Sequence, residues 1–515
     1  MQKLAVKSAA SLMGEDRFAL RRHVARLESL GEVTRIAEPL GLAELAPHLH
    51  GAAKAVLFTA AGLEKAHVIG NVVASRARLA AAFEVAEPEL LSELMRRLAG
   101  TAEIVEIPAE AAPVRQIAWQ GADADLTRLP VPFQHGLDGA PYISAAIDYS
   151  RDGETGLTNV GIRRLMLRGR QEAGVDLNAP SDLQALYRRQ AARGLPMPVA
   201  FAVGAHPLDY VAAMQRLPED ELGIVAKLRA SPLPVVRCLT SDLLVPADAE
   251  IVIEGHLDAR GFVEKEGPYG EFLGYYGVVK DNPVFHVDAI TMRRDALFQT
   301  MTIGGRHLGR TDTSQLNAIR SEAVVWQALR SAVREPLAVY ISPESGGMFN
   351  VRIKLRQRVP GEARNAIAAA MGCLANVKHV FVVDEDIDIF SWEQMDWALA
   401  TRFQADRDLV VQSGFRALPL DPSLGGARQG AKAGFDLTLP FDRKDSLHFT
   451  LPEPPVFGPS RTRSVREALG AGPLHFGEIM SAVGSRDGRE IVLELDALRQ
   501  EGKLTRNEDG RYVMG

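Results

Sequence analysis

Between about residues 126 and 320 the chain breaks into many short runs of β-type residues, among them ISAAIDYS, PVAFAVG, AEIVIEGHL and PVFHVDAITM, separated by Pro, Gly and Asp. Each run has the length and the Val/Ile/aromatic content of a strand, and the separators are turn formers. So many strands in so little sequence leave many edges to hide, which closure of the sheet achieves, so a β-rich, barrel-like domain is expected here.

The flanks follow a different period. Residues 17–36 place Phe18, Leu20, Val24, Leu27 and Leu30 at near-helical spacing with Gly31 as a stop, and the rest to 125 alternates short apolar runs with helix-like PELLSELMRRLAG. A small α/β domain over 1–125 is the economical reading. From 321 to 445 helix-like segments such as ARNAIAAAMGCL again precede strands such as VKHVFVVDEDIDI, a second α/β domain. Residues 446–462, SLHFTLPEPPVFGPSRT, carry four prolines and no period and read as a linker. Three short helical segments and a hairpin around Asn507–Gly510 then suggest a winged-helix-like module over 463–515. The fold class is therefore α/β multidomain.

A formal charge of −6 gives no basic field for a polyanion, and the tail from 463 has eight Lys/Arg against nine Asp/Glu, so nucleic acid is a poor partner. Two distant cysteines, Cys238 and Cys373, exclude a disulfide framework and a cysteine-rich zinc module. No apolar stretch approaches a membrane span, and Glu15 and Asp16 come before any signal-like run, so a cytoplasmic protein with no membrane partner is expected.

Two segments carry chemistry. EKEGPYGEFLGYYG, residues 264–277, crowds Glu264, Glu266 and Glu271 among glycines and aromatics, too many carboxylates for an apolar neighbourhood unless a cation, a metal or solvent faces them. Alone it reads as a solvated acidic turn. LTNVGIRRLMLRGR, residues 157–170, sets Asn159 five positions before Arg164 in a β-like run. Arg163 and Arg164 must then point to opposite faces. A guanidinium can hold a carboxylate through two parallel hydrogen bonds, or simply join a structural salt bridge.

NVGIRR at 159–164, PVAFAVGAHP at 198–207, VRCLTSDLLVPADAEIVIEG at 236–255 and EGPYGEFLGYY at 266–276 occur together and in order, and with them the chain resembles the UbiD-like decarboxylases over roughly residues 15–440. The resemblance implies a split β-barrel that binds prenylated FMN, an α/β domain beyond it that helps form homodimers or larger assemblies, and a flavin prenyltransferase as cofactor supplier. The implied reaction is reversible, non-oxidative decarboxylation of an aromatic or α,β-unsaturated carboxylic acid. Arg164, Glu266 and Glu271 match the family's Glu-Arg-Glu network: Arg164 would orient the substrate carboxylate, Glu271 would supply the replacing proton, and Glu266 would hold Arg164. A carboxylase component of a multi-subunit complex and a non-catalytic regulatory relative remain as alternatives.

Further residues are implied in the same way. Ser144, Asn159, Ile162, Arg163, Arg164 and Lys432, in GARQGAKAGFDLT, would contact the cofactor. Asn159 and Glu254 match two positions that hold a divalent cation, manganese or magnesium with iron as the alternative, with potassium nearby. The third position, a histidine in the family, falls near Pro180, and no histidine lies between 136 and 205, so Ser181 or Asp182 would have to substitute. A second departure is TIGGRHLGRTDTS at 302–314, where Arg306, His307 and Arg310 suggest a second anionic group on the substrate, or a solvated loop.

Overall fold

A computed structural model describes residues 16–444, 446–462 and 464–515. They form two compact units, one ending at Thr438 and one beginning at Leu439.

The first unit is built around a closed antiparallel barrel of six strands: β1 (Tyr142–Arg151), β2 (Thr158–Leu167), β3 (Glu172–Val175), β4 (Met197–Val203), β5 (Ile251–Leu257) and β6 (Val284–Met292). The order is β5-β4-β1-β2-β3-β6, and β6 returns to pair with β5, while a short strand, Ile117–Gln120, adds to β6. Alternate side chains fill the interior, for example Leu165, Val199, Phe201, Ile253 and Phe285. The opposite parity, for example Ile147, Tyr149, Val160, Ala202 and Val252, packs into a second core shared with helices Pro207–Ala213 and Glu221–Arg229. Burial on both faces is why these strands read as almost continuous apolar runs.

Helix Leu20–Ser29 ends as its sequence predicts. Gly31 takes φ +72°, its N–H reaches Glu28 O and the Glu32 N–H reaches Leu27 O, a Schellman closure that leaves Leu30 exposed. The N-terminal sheet orders Val33–Ile36, Ala55–Ala61, Ala66–Gly70 and then Leu297–Gln299, so its last strand is contributed by a segment just past the barrel. Ile104–Glu106 likewise pairs with Leu233–Arg237. Beyond the barrel, helix Asp312–Ala332 leads into a five-stranded sheet ordered Pro336–Ile341, Asn350–Leu355, His379–Val383, Gln429–Asp436 and Leu409–Arg416.

The second unit holds helices Val465–Gly470, Phe476–Val483 and Arg489–Gln500 and a hairpin pairing Leu504–Arg506 with Tyr512–Met514. Its own core gathers Val465, Leu469, Ile479, Ile491, Leu495 and Leu498. Among the described residues no helix is long and apolar enough to cross a membrane.

Candidate functional site

The register between β1 and β2 shifts between Ile143 and Ala146, so Ser144 and Ala145 together oppose the single residue Arg164. Arg164 keeps the outward parity of Val160 and Ile162, while Arg163, of the inward parity of Leu165, pairs with Asp148 at 3.4 Å and donates to Ser181 Oγ at 3.2 Å. The two neighbouring guanidinium groups thus serve different sites.

Arg164 is held by three carboxylates. Nε and Nη2 donate to the two oxygens of Glu266 at 2.9 and 3.1 Å, Nη1 donates to Glu271 Oε1 at 2.8 Å, and Nη2 also reaches Asp176 Oδ2 at 2.9 Å. Burial opposes its charge, but Glu271, Glu266 and Asp176 outweigh that and hold its pKa well above the ordinary arginine value. Its face lies 4.4 Å from the centroid of the Tyr269 ring, which in turn tilts against Tyr142 at 4.4 Å. The Tyr142 phenol is buried close to Glu266, and burial followed by the charge of Glu266 drives its pKa upward.

Glu266 comes from the short strand Glu264–Glu266, paired with Lys280–Asn282, and the next pair, Tyr269–Gly270 with Tyr276–Gly277, carries the chain on to Glu271. Gly277 makes room there: a Cβ on it would lie 2.8 Å from Glu271 Oε1. Asp138 anchors the segment through the Gly270 N–H at 2.9 Å. Glu266 is fully buried and Glu271 nearly so. Lys280 lies 3.7 Å from Asp176. Three carboxylates thus face two cations, a sum of −1 with all ionised, and one proton brings the cluster to neutrality.

Asp176 escaped the sequence reading although its position was accessible. The Leu165–Val175 pairing places it directly across from Arg164, one step along a tight hairpin. Burial acts to raise its pKa, but Arg164, Lys280 and the Asn178 N–H win and hold it below the usual carboxylate value.

Ser144 is buried in a knot with Gln134, Thr300 and Met301: Gln134 Nε2 donates to its Oγ at 3.0 Å, and Oγ donates to Met301 O at 2.9 Å. Ile162 pairs with Ile147 and packs against the barrel's outer core.

Asn159 and Glu254 are not brought together. The Asn159 amide donates to Asp148 Oδ2 at 3.0 Å and Ser150 Oγ at 3.4 Å. Glu254 sits three strands away around the closed barrel, across β5, β4, β1 and β2. Both its oxygens are taken, by Arg115 Nη1 at 2.9 Å and by the N–H and hydroxyl of Thr240 at 2.9 and 3.0 Å. Besides Asp148, the carboxylate brought to this stretch of β2 is Glu221, in the first turn of helix Glu221–Arg229, which accepts the N–H of Val160, the residue next to Asn159. Burial, with Asp182 and Asp148 adding, pushes Glu221 up to about 7 against the Val160 N–H and Arg216. The oxygen-rich set of Asn159, Glu221 and Asp182 is of the type hard divalent cations take. Among the described residues no three His, Cys, Asp or Glu side chains are arranged to hold a metal ion, so the Asn159 amide and oxygens from a ligand would have to complete a shell.

Lys432 lies on strand Gln429–Asp436 rather than in a loop, and its ammonium caps the end of helix Glu362–Cys373 through Met371 O and Leu374 O, both at 2.7 Å. Burial pushes its pKa down to about 8. Of the three basic residues named at 302–314, His307 and Arg310 line a small cavity with His50 and His135, and Arg306 does not. The His50 and His307 rings meet edge-on at 5.2 Å, and Arg310 Nη1 donates to Gly51 O at 2.9 Å.

Family models match nearly all of the first unit: the N-terminal domain of the 3-octaprenyl-4-hydroxybenzoate carboxy-lyases at 24–98, their Rift-related domain at 105–307, and their C-terminal domain at 314–437. The chain is 30% identical to the anhydromevalonate phosphate decarboxylase of Methanosarcina mazei over 432 residues, 83% of this chain and 97% of that protein. It resembles the UbiD-class enzyme HmfF from Pelotomaculum thermopropionicum solved with FMN, at TM-score 0.80 and 33% identity over 85% of this chain and 97% of that one. An evolved dimeric form of HmfF in complex with prenylated FMN aligns at TM-score 0.76 and 32% identity, with the same coverage of both chains.

Proposed function

The chain belongs to the UbiD family of carboxy-lyases, and from that premise we propose that it carries out reversible, non-oxidative decarboxylation of an aromatic or α,β-unsaturated acid with Arg164, Glu266 and Glu271 as its working residues. The observation that carries the assignment of roles is the partly buried Arg164 held by Glu266, Glu271 and Asp176. Prenylated FMN, when bound, supplies the electron sink for the pair released as carbon dioxide leaves.

Four of the five Arg164 N–H bonds are committed, and the one remaining on Nη1 is free to orient the substrate carboxylate. Glu266 and Asp176 fix the plane of the guanidinium. Glu271 Oε1 is bound by Arg164, whereas Oε2 has no partner among the described residues and is the oxygen that delivers the replacing proton. Ser144, Ile162 and Arg163 would contact the flavin, and Asn159, Glu221 and Asp182 would hold a divalent cation, manganese, magnesium or iron, that with potassium would balance the charge of its phosphate. Lys432 would have to give up its helix carbonyls to reach that phosphate.

The substrate carries a second anionic or polar group read by Arg310 and His307, in keeping with a relative named for a phosphorylated acid. The cavity there, about 30 Å³, takes only a water molecule or two, so the group enters by displacing these exposed side chains. The enzyme works in the cytoplasm as a homodimer or larger assembly, and the second unit is a winged-helix-like module for assembly or docking.

The test is protein co-produced with a flavin prenyltransferase. Its absorption spectrum reports modified flavin, and carbon dioxide release is compared with that of Glu271→Gln, expected to be slower by at least about a hundredfold with flavin retained. Near-parental turnover in this variant would take the proton from Glu271.

A further inference from the structure

Proton delivery needs the Glu271 carboxyl at a set position, and the hydrogen bond from Arg164 fixes only one of its oxygens. The main chain that carries Glu271 is held by a short stretch just before β1, residues 134–139. Four groups of this stretch reach the loop 266–276. Gln134 Oε1 accepts from the Tyr269 hydroxyl at 3.4 Å, the Gly139 N–H donates to Pro268 O at 2.8 Å, the Asp138 carboxylate accepts the Gly270 N–H at 2.9 Å, and the Leu137 N–H donates to the Tyr276 hydroxyl at 3.0 Å. These contacts fall on both sides of Glu271 in sequence.

The two segments fit closely. The His135 ring meets the rings of Tyr269 and Tyr276 edge-on, both at 6.4 Å between centroids, and a Cβ on Gly270 would lie 2.5 Å from its Nδ1. A Cβ on Gly139 would run into Gly267 O, so only glycine lets the chains approach there. Asp138 ties the arrangement together. Its Oδ1 takes the Gly270 N–H, while Oδ2 accepts the His135 N–H at 3.1 Å and lies 3.1 Å from the His135 Nδ1. Its side chain is 1% exposed. A carboxylate offers acceptors on both oxygens, so this one buried group fixes the backbone of the loop and the imidazole packed against it. Asparagine, with one acceptor oxygen, keeps only the first of these bonds.

We propose that Asp138 is a positioning residue for proton delivery: through the Gly270 N–H it sets where the neighbouring Glu271 carboxyl stands, and residues 134–139 clamp the loop during turnover. Arg164 holds the Glu271 side chain from β2, and Asp138 holds the main chain one residue before it. Displacement of a reacting group by about 1 Å costs about a hundredfold in rate, so a loosened loop lowers turnover while Arg164 still binds the substrate carboxylate. The inference rests on Glu271 as the proton donor and adds the residue that keeps Glu271 in place.

Hydrogen–deuterium exchange of the flavin-loaded, full-length protein reads the clamp without a substrate. Asp138→Ala is expected to speed exchange in peptides covering 266–277 at least about tenfold and to leave those covering β4 at the parental rate. Turnover is then measured on the acid that the parent decarboxylates fastest among cinnamic, 4-hydroxybenzoic and furan-2-carboxylic acids. Asp138→Ala should lower kcat at least about tenfold with KM changed less than about threefold and flavin content retained, and Asp138→Asn should recover part of the loss. In a Glu271→Gln background Asp138→Ala should cost little more, because the group it positions is gone. Unchanged exchange over 266–277, a parental kcat, or the same loss in both backgrounds would overturn the positioning role and leave Glu271 as the donor. Near-parental turnover in Glu271→Gln alone would remove the donor, and this inference with it.

Discussion

Asp176 faces Arg164 across the β2–β3 ladder and accepts a 2.9 Å hydrogen bond from its Nη2, on the side of the guanidinium away from Glu271. The contact turns a two-glutamate clamp into a three-carboxylate one. Asp176→Asn keeps the shape but removes the charge that fixes Nη2. Turnover is expected to fall about tenfold to a hundredfold, with a loss of about 1–3 kcal/mol in stability for the weakened charged hydrogen bond. The effect should fall on kcat more than on KM, because Arg164 stays in the site but is misaimed, and Asp176→Glu should restore part of it. A variant that melts lower but turns over normally would make Asp176 a structural prop only.

Asn159→Ala and Glu221→Ala are expected to lower the flavin content that survives gel filtration, since each removes an oxygen near the proposed cation. Glu254→Gln should not, because its oxygens serve Arg115 and Thr240. Its expected phenotype is lost stability, about 3–5 kcal/mol if Arg115 is left as an unpaired buried charge. Flavin absorbance per protein and metal analysis across the three variants decide the matter. Full flavin in both of the first two, with loss in the third, would return the cation to Glu254.

Much of the barrel was legible because each strand declares itself locally, through β-branched runs between turn residues. Its closure and its two-sided burial follow from the same pattern. The partners of the charged residues were not legible in this way. Arg115 reaches Glu254 across 139 positions, and nothing in AEIVIEG shows that its glutamate is already occupied. Glu221 looked like an ordinary first-turn acid behind the Asp220 cap, and only packing against β2 brings it to Asn159. The glycines around Lys432 are residues that ordinarily break a strand, yet the strand runs through them and the lysine turns to a helix end. Domain limits were blurred for a related reason: Leu297–Gln299 leaves the barrel to complete the N-terminal sheet, a long-range pairing that no local period reveals.

Arg310→Ala should separate substrates by charge. With a plain aromatic or unsaturated acid it is expected to change kcat/KM little, whereas for a dicarboxylic or phosphorylated analogue the loss should be about tenfold or more, the scale of one charge-assisted hydrogen bond. His307→Ala should follow the same ordering with a smaller effect, and Arg306→Ala, outside the cavity, should have none. Equal losses on both substrate types would mean that Arg310 serves the protein through Gly51 O and not the substrate.

The buried pair His23 and His206 sets an acid limit on stability. Burial holds His23 at about 3 and His206 well below its ordinary value of 6.5, so both are neutral in the folded chain at pH values where the unfolded chain has bound protons. Their folded values are depressed, and a base of this kind contributes stability that is full above about pH 6.5 and lost as pH falls from there toward 3. The limiting slope is about 1.4 kcal/mol per pH unit for each histidine. Glu221, pushed up to about 7, and the buried Asp312 and Glu322, also raised by burial, act with the opposite sign, since the folded chain there holds the extra protons and loses stability as pH rises. The parental curve mixes these contributions, so the informative quantity is the difference between parent and His23→Leu, measured in phosphate-free buffer. Melting temperatures compared between pH 7 and pH 5 should fall less in the variant than in the parent. Parallel falls would show that His23 takes up no proton on unfolding in this range, and so that its imidazole is not held neutral in the folded chain.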